Sequence, residues 1–123
     1  MTRSEDQRRA LVVMTTAADD DAAAALARAL VEEGLAACVT RTPVRSVYRW
    51  EATPGGERAK PARQMAVRED AEVLLLIKTA AGLRDRLERR VKELHSYECP
   101  EFVVIEPAHV EAGYLEWLLA CTS

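Results

Sequence analysis

The stretch that decides the fold is a continuous apolar run at residues 73–77, which reads Val73-Leu74-Leu75-Leu76-Ile77. A run of this kind predicts a central strand that is covered on one face and crowded by a partner on the other. A shorter run at residues 11–14, Leu11-Val12-Val13-Met14, is interpreted as another buried strand. The two runs therefore predict the interior strands of one sheet.

Two amphipathic segments follow these strands. Acidic residues at 19–21 can cap a helix, and Gly34 is well placed to end it. The apolar positions with helical spacing in this first helix are Ala23, Leu26, Ala27, Leu30 and Val31. A second helix is predicted over residues 80–94, with Thr79 as a candidate cap. Its inward positions are expected to be Leu83, Leu87, Val91 and Leu94.

Residues 36–50 predict a long strand with period-two alternation. Its two faces carry Val44, Tyr48 and Trp50 on one side and Arg41, Arg45 and Arg49 on the other. Pro43 cannot donate to a strand ladder, so this strand should lie at an edge of the sheet or carry a bulge.

The order of elements is predicted to be β-α-β-β-α-β-α, with a fourth strand at residues 102–105 and a closing helix at residues 114–121. The first six elements match a split β-α-β arrangement, which makes the protein an α+β domain. Right-handed crossovers place strands one and three in the centre and strand two at an edge. We expect a flexible tail at residues 1–9, a single domain over residues 10–123, and an extended hairpin loop at residues 52–68.

Composition excludes several classes. The 123 residues include 17 basic and 20 acidic side chains, and the net charge of −3 gives no reason to expect nucleic acid or an anionic membrane as a partner. No apolar run approaches the roughly 18 residues of a membrane-spanning helix. Three well-separated cysteines, Cys38, Cys99 and Cys121, do not suggest a disulfide framework and favour a reducing cytoplasm.

The sequence lacks the motifs of several functions that proteins with the split β-α-β arrangement often have. The predicted central strands have no aromatic residues for RNA stacking, and no cysteine pair follows strand one. Nothing supplies a nucleophile with an adjacent base, so we do not expect an enzyme. An acid–base pair of His95 and Glu98 is the catalytic alternative.

Two short segments carry candidate ligands. Residues 95–101 read His95-Ser96-Tyr97-Glu98-Cys99-Pro100-Glu101, which is either a metal or small-ligand site or a plain turn in which His95 caps its own helix. Cys38 is either a soft metal ligand or a small core residue. The long strand with Tyr48 and Trp50 would overhang a small sheet, which favours an oligomer that covers it. The alternative is that the strand ends early.

The sequence resembles the CutA family of divalent-cation-tolerance proteins over residues 11–117. The segments that carry the resemblance are Ala27-Arg28-Ala29-Leu30-Val31-Glu32, Leu35-Ala36-Ala37-Cys38-Val39, Ser46-Val47-Tyr48-Arg49-Trp50-Glu51, Glu72-Val73-Leu74-Leu75-Leu76-Ile77-Lys78-Thr79, His95-Ser96-Tyr97-Glu98-Cys99-Pro100-Glu101 and Tyr114-Leu115-Glu116-Trp117. Two departures are Ser96, where the family usually has proline, and a longer segment at residues 52–68.

The resemblance implies a ferredoxin-like subunit that forms a homotrimer by joining edge strands. It also implies binding of copper or another divalent cation, with Cys38, His95 and Glu98 as expected ligands. The other implied function is that of a PII-like signalling trimer, in which a small molecule binds between subunits near Lys78, Tyr97 and Trp50.

Overall fold

The computed structural model describes residue 4, residues 7–51 and residues 65–123. Its strands and helices follow the predicted order and are β1 (Ala10–Ala17), α1 (Asp20–Glu32), β2 (Cys38–Glu51), β3 (Met65–Ala80), α2 (Arg84–Leu94), β4 (Val103–Ile105) and α3 (Ala112–Ala120). A 3-10 turn, Ala81–Leu83, leads into α2. The four strands form one antiparallel sheet in the order β2-β3-β1-β4. The predicted central position of strands one and three and the edge position of strand two are confirmed.

The ends of α1 follow from local chemistry. The Asp19 side chain accepts a hydrogen bond of 2.8 Å from the backbone N–H of Ala22, which satisfies a donor that the helix itself cannot. Gly34 has a φ of +75°, a conformation that costs glycine little, and it ends the helix as predicted.

The core lies between one face of the sheet and helices α1 and α2. Alternate strand residues point into it because successive side chains of a strand face opposite sides. Its fully buried large side chains include Val13, Leu30, Leu75, Ile77, Leu87 and Val91. The sheet and both helices are therefore held by one shared apolar layer.

The opposite face of the sheet is only partly covered. Helix α3 packs over one end of it, where Leu118 and Leu119 contact Ala10 and Ala80. Beyond α3 lies an apolar surface that we call the open face. Its residues are Val12, Met14, Leu74, Leu76, Val103 and Ile105. Val103 and Ile105, on the edge strand β4, are 48% and 41% exposed, and with their neighbours on β1 and β3 they form one apolar surface.

Strands β2 and β3 extend well beyond the rest of the sheet. They pair over the full length of β2, whereas β1 pairs with β3 only from residue 73 to residue 80. Residues 44–51 and 65–72 therefore form a two-stranded overhanging ribbon. This confirms the prediction of a long edge strand.

Several sequence predictions need correction. β3 begins at Met65, so residues 65–68 belong to a strand and not to the predicted hairpin loop at 52–68. Thr79 does not cap the second helix, because its buried hydroxyl donates to the Leu35 carbonyl at 2.7 Å. Val31 and Leu94 are 42% and 38% exposed and do not face the core, because each lies at the margin of its helix's apolar stripe.

Residues 52–64 of the predicted loop lie outside the described residues, as do residues 1–3, 5 and 6 of the predicted tail. In the described part of the tail, Arg9 forms a salt bridge of 2.6 Å with Glu106. No helix in the described ranges is long and apolar enough to cross a membrane.

Candidate functional site

The turn after α2 brings the first candidate ligand, His95, against β1. The His95 Nε2 atom lies 2.7 Å from the Thr16 carbonyl oxygen, and the backbone N–H of Tyr97 donates to His95 Nδ1 at 3.0 Å. Since Nδ1 accepts, the proton of the neutral ring sits on Nε2 and is donated to Thr16. Both ring nitrogens are thus hydrogen-bonded to backbone groups.

The plain alternative for His95 was a side chain that caps its own helix, and the structure does not show it. The backbone N–H of His95 donates to the Val91 carbonyl at 2.8 Å, as expected at a helix end. The imidazole instead reaches across to Thr16 on β1 because the chain leaves the helix in an extended conformation at His95. The ring therefore connects two elements and does not stabilise one helix end.

Tyr97 is fixed at the same turn by a side chain of β3. Its hydroxyl donates to Glu72 at 2.7 Å, and its ring packs beside that of His95 with centroids 4.9 Å apart. Partial burial raises the pKa of the Tyr97 phenol, and the hydrogen bond to Glu72 raises it further. The turn is thus tied to β1 through His95 and to β3 through Tyr97.

The overhanging ribbon carries a similar pair. The Tyr48 hydroxyl donates to Asp70, and this hydrogen bond is the main reason why the pKa of Tyr48 is raised. Trp50 packs edge-to-face on Tyr48 with ring centroids 6.0 Å apart. Trp50, a predicted pocket residue, therefore lies on the ribbon and on the same strand face as Tyr48.

Cys38 and Lys78 form a separate group at the other end of β3. They occupy paired positions on β2 and β3. The Lys78 ammonium lies 3.8 Å from Cys38 Sγ and donates to the Thr40 hydroxyl at 2.5 Å. The thiol is only partly buried, so it faces the open side of the sheet and does not fill the core as the plain alternative required.

The predicted site residues do not converge within one subunit. Lys78 lies six strand residues from Glu72, the partner of Tyr97, a separation of roughly 20 Å along β3. Glu98 is exposed in the turn with His95. In the part of the chain that the structure describes, no group of three or more His, Cys, Asp or Glu side chains is arranged to hold a metal ion.

Sequence reasoning missed the residues that hold the site together, namely Thr16, Asp70 and Glu72. Thr16 contributes only its backbone carbonyl oxygen. Every residue has this group, so the sequence alone does not indicate the role of Thr16. Asp70 and Glu72 had a usable signal, because they alternate along β3 on the face that pairs with Tyr48 and its neighbours. Asp70 lies diagonally across from Tyr48 on the neighbouring strand, within reach of its long side chain, whereas Tyr97 reaches Glu72 from outside the sheet.

A small apolar notch of about 150 Å³ lies beside His95. Its lining is formed by Ala17, Ala22, Ala25, Leu26, Leu94, His95 and Ser96. The walls are mainly alanine and leucine, so the notch offers few polar groups to orient a ligand.

The β-α-β-β-α-β order of the first six elements forms a four-stranded antiparallel sheet backed by two helices. This arrangement defines the ferredoxin-like class of α+β proteins. Residues 11–121 match the family model described as CutA1 divalent ion tolerance protein. The chain therefore belongs to the CutA1 family of divalent ion tolerance proteins, as the resemblance implied.

Relatives from distant organisms agree with this assignment. The divalent-cation tolerance protein CutA of Thermus thermophilus is 45% identical over 76% of this chain and 79% of its own length. The chloroplastic protein CutA 1 of Oryza sativa is 39% identical over 76% of this chain. The chain spans only 46% of that plant relative.

A solved structure has the same fold. CutA from Synechococcus elongatus superposes with a TM-score of 0.81 at 31% identity, covering 96% of this chain and 94% of the other. The likeness extends over nearly the whole chain, so α3 and the long β2–β3 pair are included in it.

Proposed function

We propose that this chain acts as a cytoplasmic homotrimer that binds divalent or copper ions and contributes to divalent cation tolerance. The observation that carries the proposal is the open face, an apolar surface in the middle of the sheet that α3 covers only at one end. The three cysteines are free thiols, which supports a reducing compartment.

The open face supports self-association because it is apolar, continuous and bordered by unpaired strand edges. Val103 and Ile105 belong to β4, one edge of the sheet, and β2 forms the other edge. An exposed edge next to an exposed apolar face is an aggregation hazard unless a defined neighbour covers both. A closed ring of identical subunits gives each edge and each face a partner.

The cation would be held by groups from neighbouring subunits. Cys38, His95 and Glu98 supply the thiolate, imidazole and carboxylate that divalent transition metals prefer. Cys38 and His95 lie far apart along the sheet of one chain, so we expect them to meet only across a subunit boundary. His95 already donates one ring N–H to a carbonyl, which is the usual orientation of a metal-binding histidine.

A role in binding, and not in catalysis, agrees with the same geometry. A general base needs a ring nitrogen that faces its substrate. Both nitrogens of His95 are instead hydrogen-bonded to the backbone. His95 is therefore not placed to act as a general base, and a cation could bind Nδ1 only by displacing the Tyr97 N–H.

The second candidate function is a PII-like signalling trimer with a small molecule bound between subunits. Trp50 on the ribbon, Tyr97 at the turn and Lys78 on the open side offer two aromatic surfaces and a cation. They are far apart in one subunit, so this pocket too depends on assembly. A thermal-shift screen of nucleotides and metabolites tests it, because a ligand that binds only the folded state raises the melting temperature.

Two measurements test the main proposal. Light scattering on purified protein should give three times the mass of one chain. Titration calorimetry with copper and zinc should then show binding that is weakened in Cys38→Ala but retained in Cys121→Ala, where the lost thiol is exposed after α3. A monomeric mass, or equal affinity in both cysteine variants, contradicts the proposal.

A further inference from the structure

We infer that the overhanging ribbon carries an apolar knob, made of Val47 and Val67, that inserts into the notch beside His95 of a neighbouring copy of this chain. The inference rests on the proposed homotrimer and deepens it, because it names a contact that joins one subunit to the next. The contact lays the ribbon of one copy against the candidate ligand turn of another.

The knob lies on the helix side of the ribbon. Val73 of β3 faces the core, and alternate residues before it continue the same face along the ribbon. Val47 pairs with Glu69 and Val67 pairs with Arg49, so the two valines are diagonal neighbours on this face. They are 66% and 67% exposed, the largest fractions among the large apolar side chains of the described residues. Contact with a partner would therefore remove apolar surface from water.

The notch suits this knob in size and in chemistry. It encloses about 150 Å³ between α1 and the end of α2, and its walls are mainly alanine and leucine side chains. An apolar cavity of about 150 Å³ is large enough to hold benzene, and a valine side chain is smaller than benzene. Ala25 and Leu94 of the lining are exposed, so the notch is open to an entering side chain.

Charges of opposite sign stand beside the knob and the notch. Arg49 lies directly opposite Val67 on the ribbon, and Asp21 lies one helical turn before Ala25 on the same side of α1. Both charged side chains are exposed, and neither forms an ion pair with another described residue. A docked knob would bring the two charges together, so the two surfaces are complementary in charge as well as in shape.

The knob cannot reach the notch of its own chain. Ala17, which lines the notch, pairs with Val73 at the point where β1 ends. Val67 lies six residues further along β3, roughly 20 Å away in an extended strand. A second copy of the chain supplies the missing half of both surfaces. Contacts between two different patches of identical subunits run head to tail and close into a ring when the rotation between subunits permits it.

Light scattering on a dilution series of the full chain tests the contact. Val67→Lys puts an ammonium group on the knob, and Ala25→Phe fills the notch with a phenyl ring. The matched controls are Val31→Lys, on an exposed valine of α1, and Ala24→Phe, since neither position lines the notch. Val67 and Ala25 are exposed, so neither change disturbs the core. Both should dissociate at a concentration roughly tenfold higher than wild type, because each prevents the apolar burial, and the controls should match wild type.

A charge reversal tests whether the ribbon and α1 of different copies meet. Arg49→Glu and Asp21→Arg should each raise the dissociation concentration roughly threefold to tenfold, because each places like charges side by side. The double variant restores a pair of opposite charges and should recover the wild-type dissociation profile. The two residues are far apart in one chain, so recovery requires contact between copies.

The outcomes separate this contact from the proposed homotrimer. If the wild-type chain is a trimer but Val67→Lys or Ala25→Phe behaves like its control, the knob does not occupy the notch and the homotrimer stands. Failure of the double charge variant to recover likewise overturns the contact alone. A wild-type chain that is monomeric at every concentration rejects the homotrimer and this contact with it.

Discussion

The hydroxyl of Tyr97 donates to the Glu72 carboxylate across 2.7 Å and thereby joins the turn after α2 to the third strand of the sheet. Burial and this bond raise the pKa of the phenol above its ordinary value of about 10. Folding therefore favours the protonated phenol, and this preference links stability to pH.

The stabilisation from Tyr97 is fully present below the unfolded-state pKa of about 10 and is lost as the pH rises through the higher folded-state pKa. We expect the free energy of unfolding to fall with pH above about 10, and to fall less steeply in Tyr97→Phe. Urea unfolding at a series of alkaline pH values measures this slope. Tyr114→Phe, on the exposed side of α3, should keep the wild-type slope. A steeper decline in Tyr97→Phe contradicts the assignment.

A charge placed on the open face should break up the proposed trimer. Val103→Lys puts an ammonium group into the apolar surface that we propose is buried between subunits, so light scattering should report a lower mass. Val31→Lys is the matched control, because Val31 is a valine of nearly equal exposure, 42% against 48%, on the helix side of the molecule. If both variants keep the wild-type mass, the open face is not the subunit contact.

Two buried threonines should respond in opposite directions to the same change. Among the described residues, Thr15 Oγ1 is a buried oxygen without a hydrogen-bond partner, so Thr15→Val should raise the free energy of unfolding by about 1 kcal/mol. Thr79 donates to the Leu35 carbonyl, so Thr79→Val should lower it by about 1 kcal/mol. Urea denaturation at neutral pH measures both. Shifts of the same sign contradict this assignment of the two hydroxyls.

Two leucines of α2, seven residues apart, should differ strongly. Leu87 is fully buried, and Leu87→Ala should cost about 3 kcal/mol of unfolding free energy because it leaves a cavity in the core. Leu94 is 38% exposed, and Leu94→Ala should cost less than about 1 kcal/mol. Urea denaturation measures the free energy of unfolding of both variants. Equal losses would contradict the packing of α2 described above.

The sheet order could be predicted because it depends on patterns that a sequence displays. Continuous apolar runs marked β1 and β3 as central strands, and Pro43 with period-two alternation marked β2 as an edge. Burial at the margins of the helices was harder to predict, because Val31 and Leu94 have the spacing of core residues but lie just outside the buried stripe. The start of β3 was missed because residues 65–68 pair with β2 outside the core, where no apolar alternation is needed.

The sequence predicted the side chains of the candidate site but not the groups that hold them in place. His95 and Tyr97 were identified by residue type, but the atoms that fix them are the Thr16 carbonyl and the Glu72 carboxylate, which lie far away in the sequence. Thr79 was assigned to a helix end from its position, whereas the fold brings a distant carbonyl within its reach. Long-range backbone partners of this kind are set by topology and not by local pattern.

The rate of amide exchange in the overhanging ribbon should depend on protein concentration. Among the described residues, no third strand pairs with this two-stranded ribbon, and such a ribbon is marginal in water on its own. Amides of residues 44–51 in an isolated subunit should therefore exchange far faster than those of β1, and formation of the proposed trimer should slow them. Diluting the protein should release these amides first, while the strands beneath α1 and α2 stay protected.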